Sequence, residues 1–366
     1  MSSELLYQLA LTLVPNIGDV HAKILVQQFG NAEAIFKAKK TTLEKIEGIG
    51  EVRAGSIKNF DGFHLAEHEV RFIEKYKIRT LFLTDEHYPR RLLNCYDSPT
   101  LLFFRGDADL NASRIVGIVG TRSNTDYGKT ITEKLVRDLA DNQVLVVSGL
   151  AYGIDACAHK AAIKHGLPTV GVVGHGLDKI YPHDHASLAK EMIREGGGIL
   201  SEFFSGTKPD KHNFPLRNRV VAGMCDTTVV VETNIKGGSM ITAKMADAYN
   251  RDVFAVPGRI TDSKSSGCNH LIKHNKAYLL NDAEDLLDIM GWKEKRSKAK
   301  KQRELFVELS GEEKQVVQLL QEKELVHIDE INLGSGLSSS AVAAAILNLE
   351  LQGLIQSLPG KLYKLL

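Results

Sequence analysis

Lys208, Lys211, Phe214, Arg217 and Arg219 all fall inside one stretch, SEFFSGTKPDKHNFPLRNRVVAG (Ser201–Gly223). Their chemistry is that of holding a ligand rather than breaking a bond. Side-chain cations neutralise phosphates, and a flat ring offers a stacking face to a base. A helix is expected to begin near Pro215, because proline suits a first helical position, and to carry Arg217, Asn218 and Arg219 in its first turn. Free backbone N–H groups and the helix dipole favour an anion there. Arg217 and Arg219 stand at i and i+2 and are not easily buried together, so at least one should be open to a ligand.

Other polar groups are expected to join this set. Arg122 directly follows the apolar run Ile115–Val119 and Gly120, which should carry its guanidinium to the mouth of a sheet. In the turn Ser148-Gly149-Leu150-Ala151-Tyr152-Gly153, Gly149 and Gly153 leave room for a ligand to approach the backbone, and Asp155 is placed to cap the helix that follows. Gly237-Gly238-Ser239 opens a further helix with Thr242 one turn on, a second amide nest for phosphate. Each element also has a plain structural reading: an Arg122–Asp126 pair, tight strand–helix turns at the glycines, Phe214 in the core.

Competing chemistries fit less well. Gly128-Lys129-Thr130 imitates the end of a phosphate-binding loop, but Ser123 stands where its first glycine should be. Gly117-Ile118-Val119-Gly120 is not the dinucleotide fingerprint, and Ser148-Gly149-Leu150 is not a nucleophile elbow. His159, His175, His183 and His185 with Asp155, Cys157 and Asp184 lie close in sequence but without metal-ligand spacing, so structural or surface roles are expected. Cys95, Cys157, Cys225 and Cys268 are far apart, which indicates neither a disulfide framework nor a thiolate zinc site. No catalytic residue, cofactor or metal is assigned.

The elements that must position these residues fall in three parts. With 366 residues, 43% hydrophobic and 25% charged, the chain is expected to fold as two or three globular domains. A net charge of +1 carries no partner information, so any polyanion site must be a local concentration of cations. No apolar run is long enough for a bilayer and no secretory pattern opens the chain, so a cytoplasmic protein is expected. Residues 1–76 read as helices around two glycine turns, Val14–Gly18 and Ile46–Gly50. Two readings fit them: tandem helix-hairpin-helix units touching nucleic acid, or a helical bundle with ordinary turns. Over 77–291, short runs apolar on both faces alternate with amphipathic helices, which predicts a doubly wound, mostly parallel α/β sheet with ligands at the carboxyl ends of its strands. The runs are Ile115–Val119, Val144–Val147, Thr169–Val173, Gly198–Leu200, Thr228–Val231, Val253–Val256 and Ala277–Leu280. A basic linker, 292–304, follows. Residues 305–366 read as helix, turn, helix and hairpin, the plan of a winged helix. The expected recognition helix, SSSAVAAAILNLELQ, has no Arg or Lys and suits a protein contact better than DNA reading.

Six blocks in order, GIVGTR (Gly117–Arg122), SGLAYGIDACAHKAA (Ser148–Ala162), VVGHGLDKIYPHDHASLA (Val172–Ala189), LSEFFSGTKPDKHNFPLRNRVVAG (Leu200–Gly223), VVVETNIKGGSMITA (Val229–Ala243) and DVFAVPGRI (Asp252–Ile260), together resemble the DNA-processing protein A family, DprA or Smf. The resemblance spans the central domain, and the flanking parts fit the family's commoner three-part plan. It implies an extended Rossmann-like sheet with an N-terminal helix-hairpin-helix or SAM-like domain and a C-terminal winged helix. It also implies a non-enzymatic role: sequence-independent binding of single-stranded DNA during natural transformation, loading of the RecA recombinase against single-strand-binding protein, and a homodimer. DNA contacts map by resemblance to Arg122, the Ser148–Gly153 turn (Ser148, Gly149, Gly153), Lys211, Phe214, Arg217 and Arg219; Gly120, Gly238 and Ser239 join them on the reading of the residues alone. Thr121 replaces the usual serine, and GGSM the commoner SGSL; both changes are conservative. The alternative function is a nucleotide phosphoribohydrolase of the lysine-decarboxylase-like sheet type. Against it, Pro257-Gly258-Arg259 lacks the required second glycine, and Glu232 and Glu202 lie outside the motif.

Overall fold

The computed structural model describes residues 3–293 and 309–366. It divides into two compact units, Met1–Leu279 and Leu280–Leu366. Most of the basic linker expected at 292–304 therefore lies outside the described residues; Lys293, within them, pairs with Glu284 and Asp288 at 2.6 and 2.7 Å.

In the first unit nine strands form one sheet: β1 (Arg79–Phe82), β2 (Leu101–Gly106), β3 (Ile115–Val119), β4 (Leu145–Ser148), β5 (Thr169–Val173), β6 (Gly198–Ser201), β7 (Thr227–Val230), β8 (Asp252–Ala255) and β9 (Tyr278–Leu279). Their order is β1-β2-β6-β5-β4-β3-β7-β8-β9. From β6 to β9 all pairing is parallel. β3 to β7 are buried at every position, as strands covered by helices on both faces must be. Ala156, Leu188 and Met192 from the helices Ile154–Lys164 and Ala186–Arg194 pack against Val173 and Ile199. Val220, Val221, Met240 and Ala243 from the helices Asn213–Met224 and Gly238–Ala248 join the cluster holding Ile115, Val147 and Val230. The chain winds from β3 out to β6, then returns to lay β7 on the other side of β3. That reversal opens a crevice at the carboxyl ends of β3, β4 and β7.

The antiparallel strands β1 and β2, absent from the sequence reading, extend this sheet beyond β6. Their side chains alternate between two cores. Leu81, Leu102 and Phe104 face the main sheet core, while Phe82, Leu101 and Phe103 face the N-terminal helices. Those helices are Ser3–Leu13, Asp19–Phe29, Ala32–Lys37, Lys40–Glu44, Gly50–Lys58 and Phe63–Tyr76. Their two glycine turns lie side by side, tied by Arg53, which donates to the carbonyls of Asn16 and Gly48, both at 3.2 Å. The first hairpin is used for packing: the Asp19 carboxylate accepts the Thr100 N–H at 2.8 Å, and the Lys23 ammonium donates to the Leu93 and Cys95 carbonyls at 2.6 and 3.0 Å.

The second unit holds the helices Ala283–Ile289, Gly311–Glu322, Ile328–Gly334 and Ser339–Leu351, with a three-stranded sheet, β10 (Val326–His327), β11 (Ile355–Leu358) and β12 (Leu362–Leu365), ordered β10-β12-β11. Ser310 and Glu313 close a capping box at the first turn of Gly311–Glu322. Val316, Leu320, Ile331, Val342, Ile346, Leu349 and Ile355 form the core. This is the winged-helix plan. Leu347 and Leu351, on the helix without cations, remain exposed. Among the described residues, no helix is long and apolar enough to cross a membrane.

Candidate nucleic-acid interface

At the strand reversal lies a cavity of about 510 Å³, walled by the loops that leave β3, β4 and β7 and by the starts of two helices. Gly120, Arg122, Gly149, Lys211, Phe214, Arg217, Gly238 and Ser239 all line it. Eight of the eleven predicted positions thus come together, from segments more than a hundred residues apart. The other three, Ser148, Gly153 and Arg219, do not.

The loop after β3 is strapped so that Arg122 must project. Its Thr121 N–H donates to the Glu232 carbonyl at 2.7 Å, and the Thr121 carbonyl accepts from the Ile154 N–H at 3.2 Å. The buried Glu232 carboxylate takes the Thr125 N–H at 2.9 Å and also the Thr125 hydroxyl. Gly120 is required because a Cβ there would strike the Ile154 side chain and the Glu232 carbonyl. Arg122 itself is exposed, and its guanidinium carbon lies 5.2 Å from the centre of the Phe214 ring. Among the described residues no carboxylate pairs with Arg122, so its charge remains available to a ligand. The expected alternative, a pair with Asp126, does not form.

Phe214 is half-buried, with the Arg122 guanidinium beside it and the Tyr181 ring centre 6.1 Å from its own. The helix that carries it begins at Asn213, two residues earlier than predicted, so Pro215 sits inside the first turn. That costs no hydrogen bond, since the first four N–H groups of a helix have no partner within it. Lys211 is exposed at the cavity rim, in a loop anchored by three acceptors. Glu69, on the helix Phe63–Tyr76, accepts the Ser205 N–H at 3.0 Å and hydroxyl at 2.5 Å; Asp178 accepts the Gly206 N–H at 2.9 Å; and the Thr207 carbonyl accepts from Gly176 at 3.2 Å.

The expectation that Arg217 and Arg219 could not both be buried is corrected: they are 7% and 6% exposed. Each has its own long-range acid. Arg217 floors the cavity, donating to the Val172 carbonyl, and to Asn218 at 3.1 Å, with Asp155 alongside. Burial pushes the Asp155 carboxyl up while Arg217 pulls it down, and burial lowers Arg217 against the attraction of Asp155. Asp155 was expected to cap its helix. It instead stands one residue inside, at the second helical position, and accepts the Ala151 N–H of the preceding turn at 3.2 Å. Gly149 has to be glycine here: a Cβ would fall on both the Asp155 carboxylate and the Arg217 guanidinium. Arg219 points away, to Asp19 at 2.9 Å, to Glu202 and to the Asp97 carbonyl.

Ser148 and Gly153 act one layer behind the cavity. The Ser148 hydroxyl donates to the Ile118 carbonyl at 2.6 Å, locking β4 to β3. Gly153 has φ of +81°, and a Cβ on it would collide with the Thr121 carbonyl and the Arg122 backbone. Gly153→Ala should therefore cost ~1–3 kcal/mol in denaturant unfolding from the disfavoured backbone alone. It should also displace the Arg122 loop.

On the opposite wall the helix Gly238–Ala248 begins with Gly237 as its cap residue, and Thr242 also faces the cavity. Ser239 is 7% exposed, and its hydroxyl is a buried polar atom without a hydrogen-bond partner. An unpartnered hydroxyl beside free helix-start amides marks a place for an acceptor oxygen.

The histidines expected to be structural do hold the turns, through partners that the sequence did not indicate. His159 is fully buried, with Nε2 2.6 Å from the Gly149 carbonyl oxygen and Nδ1 2.6 Å from the Thr169 hydroxyl. Burial holds it down to about 4, so it is neutral near pH 7. His185 Nδ1 similarly meets the Leu150 carbonyl at 2.9 Å, and His175 Nε2 accepts the Tyr181 N–H at 3.1 Å. These histidines brace the turns that shape the cavity; among the described residues no metal-holding cluster forms.

Comparison with known proteins places these features in one group. Residues 79–291 match the profile of DNA recombination-mediator protein A, residues 301–361 that of the DprA winged helix domain, and residues 6–69 a helix-hairpin-helix motif. Protein Smf of Synechocystis is 38% identical over 301 residues, covering 79% of this chain and 73% of that protein. DNA processing protein A from Streptococcus pneumoniae has a crystal structure with a TM-score of 0.64 and 32% identity, covering 78% of this chain and 97% of that one. A Helicobacter pylori structure, described for its single-stranded DNA binding mode, has a TM-score of 0.52 and 32% identity over 58% of this chain and 94% of its own.

Proposed function

The chain belongs to the DNA recombination-mediator protein A family, and on that premise we propose that it binds single-stranded DNA without sequence specificity and breaks no bond. The observation that carries this is the convergence of Arg122, Lys211 and Arg217 around the half-buried Phe214 ring in one cavity at the strand reversal. Cations there neutralise phosphates and release counterions, the helix-start amides fix the backbone, and the ring accepts any base because every base has a flat face. Duplex is disfavoured, since its bases are already stacked on each other and cannot reach Phe214.

The enzyme alternative is disfavoured by the same geometry. Glu232 is spent on Thr125 and Glu202 on Arg219, so neither carboxylate is presented to the cavity as an acid or base. The Helicobacter relative, described as binding single-stranded DNA, supports the binding reading. Loading of RecA in place of single-strand-binding protein during transformation, a homodimer and a cytoplasmic location complete the proposal. The division at 76/77 and 291/292 belongs to it as well. Exposed Leu347 and Leu351 on a helix without Arg or Lys suit a protein partner for the winged helix.

Titrating matched single-stranded and duplex oligonucleotides in a gel-shift assay tests the reading. Preference for the single strand is expected; equal binding, or release of a base from nucleoside monophosphates, would sink it. Phe214→Ala should weaken binding of a base-bearing strand by ~1–3 kcal/mol. An abasic chain of equal length should be bound nearly as before, whereas equal loss on both would make the ring structural.

A further inference from the structure

Beside the main cavity, and sharing Arg122, Phe214 and Arg217 with it, lies a second, much smaller hollow of about 30 Å³, bordered by Tyr152 and Tyr181. The two tyrosines are 46% and 47% exposed. The Tyr152 hydroxyl donates to Asp184 at 2.8 Å, and its ring meets His185 edge-on with centres 4.9 Å apart. The Tyr181 N–H is held by His175 at 3.1 Å. The Tyr152 ring, held at its hydroxyl and against His185, therefore has less freedom to lose when a ligand arrives, which reduces a cost that mobile side chains carry.

Tyr181 and Phe214 already touch, with centres 6.1 Å apart and planes inclined by 32°. That lies within the ~4.5–7 Å of an ordinary aromatic pair, so no base can enter between them. What remains is the exposed part of the Tyr181 ring, which borders the hollow together with Tyr152.

We propose that Tyr181 is a second stacking platform, taking the base next to the one on Phe214 in the same strand, with Tyr152 closing the far wall of that subsite. This rests on the single-strand reading above and adds a direction to it: the strand runs from the Lys211 rim, across Phe214, toward Tyr152. Arg122 and Arg217, common to both hollows, supply positive charge along the connecting phosphates. The ligand is the nucleobase itself, of any identity.

A length series of oligothymidylates, from the dinucleotide upward, tests it on the full chain. Wild-type affinity should rise in a step where the strand becomes long enough to reach Tyr181. In Tyr181→Leu that step should vanish, leaving longer strands about tenfold weaker and the shortest ones unchanged. Tyr181→Phe should keep the step. A loss shared equally by all lengths would make Tyr181 only a prop for Phe214, and no loss at any length would remove it from the site; either overturns the inference and leaves single-strand binding intact. Failure of the wild-type chain to bind any strand would instead overturn the reading on which both rest. Should Tyr181→Leu not fold, irradiating the wild-type complex with a strand containing 5-iododeoxyuridine decides. Cross-links to both Phe214 and Tyr181 are expected, and cross-links to Phe214 without Tyr181 would refute the second platform.

Discussion

Arg219→Ala should lower unfolding stability by ~3–5 kcal/mol without changing how strand affinity depends on salt. The guanidinium is buried between Glu202, Asp19 and the Asp97 carbonyl, and it joins the N-terminal helices to the sheet helix that carries Phe214. Removing it leaves Glu202 buried with no cation, beside two further acids. Glu202 also adds a pH signature. Burial, opposed by Arg219, pushes its carboxyl up to about 7 from an ordinary 4.5. The folded state therefore holds a proton that the unfolded chain releases over that interval. The contribution is present in full below about 4.5 and is lost as pH rises through about 7. Glu202→Gln should flatten stability between those limits, and Arg219→Ala should move the loss to higher pH, because the opposing attraction is gone. Denaturant melts at stepped pH, compared between wild type and each variant, read this directly. A melt of Arg219→Ala indistinguishable from wild type would disprove the buried bridge.

The same residue shows what the sequence could not reveal. Arg217 and Arg219 look alike in the string, two cations at the start of one helix. Their fates are set by acids brought in by tertiary folding: Asp19 lies 200 positions from Arg219, while Asp155 sits at the start of a different helix. No local pattern announces such partners, so the inference that one arginine must be free failed. β3 to β8 were legible because a strand buried on both faces is apolar throughout, and the helices between them fixed the parallel winding. β1 and β2 were not. They are short apolar runs whose alternation makes sense only once two cores exist, one on each face.

The cavity wall was legible for a related reason. Gly120 and Gly149 mark close approach, and at both a Cβ would strike a named group. Arg122 follows a strand end, where the sheet's winding delivers it to the crevice. A structural role was expected for His159 and His185, but their partners, and the bracing by Glu232 and Glu69, were hidden, since a buried polar side chain declares its role only through the group it meets. For the N-terminal turns, sequence left contact with DNA and packing equally open. Asp19 and Lys23 place the first hairpin against the sheet, whereas the second turn keeps its glycines on the surface.

Arg122→Ala and Lys211→Ala should do the opposite of Arg219→Ala: weaken strand binding and flatten its salt dependence, with no loss of stability. Both side chains are exposed at the cavity, and neither is paired with an acid among the described residues. For a single strand, the logarithm of affinity falls against the logarithm of salt with a slope of about −0.7 per neutralised phosphate. Each substitution should therefore reduce the slope by about 0.7, which at ~0.1 M salt corresponds to roughly fivefold weaker binding per contact relative to ~1 M. The double variant should lose about 1.4 in slope and roughly twenty-fivefold in affinity. Arg122 should cost more than Lys211 at high salt, where charge is screened, because its guanidinium also lies 5.2 Å from the Phe214 ring centre. Fluorescence anisotropy with a labelled oligothymidylate over a salt series separates these effects, the slope counting phosphates and the high-salt remainder reporting the ring. An unchanged slope in the double variant would mean that the cations at the cavity mouth do not touch the strand.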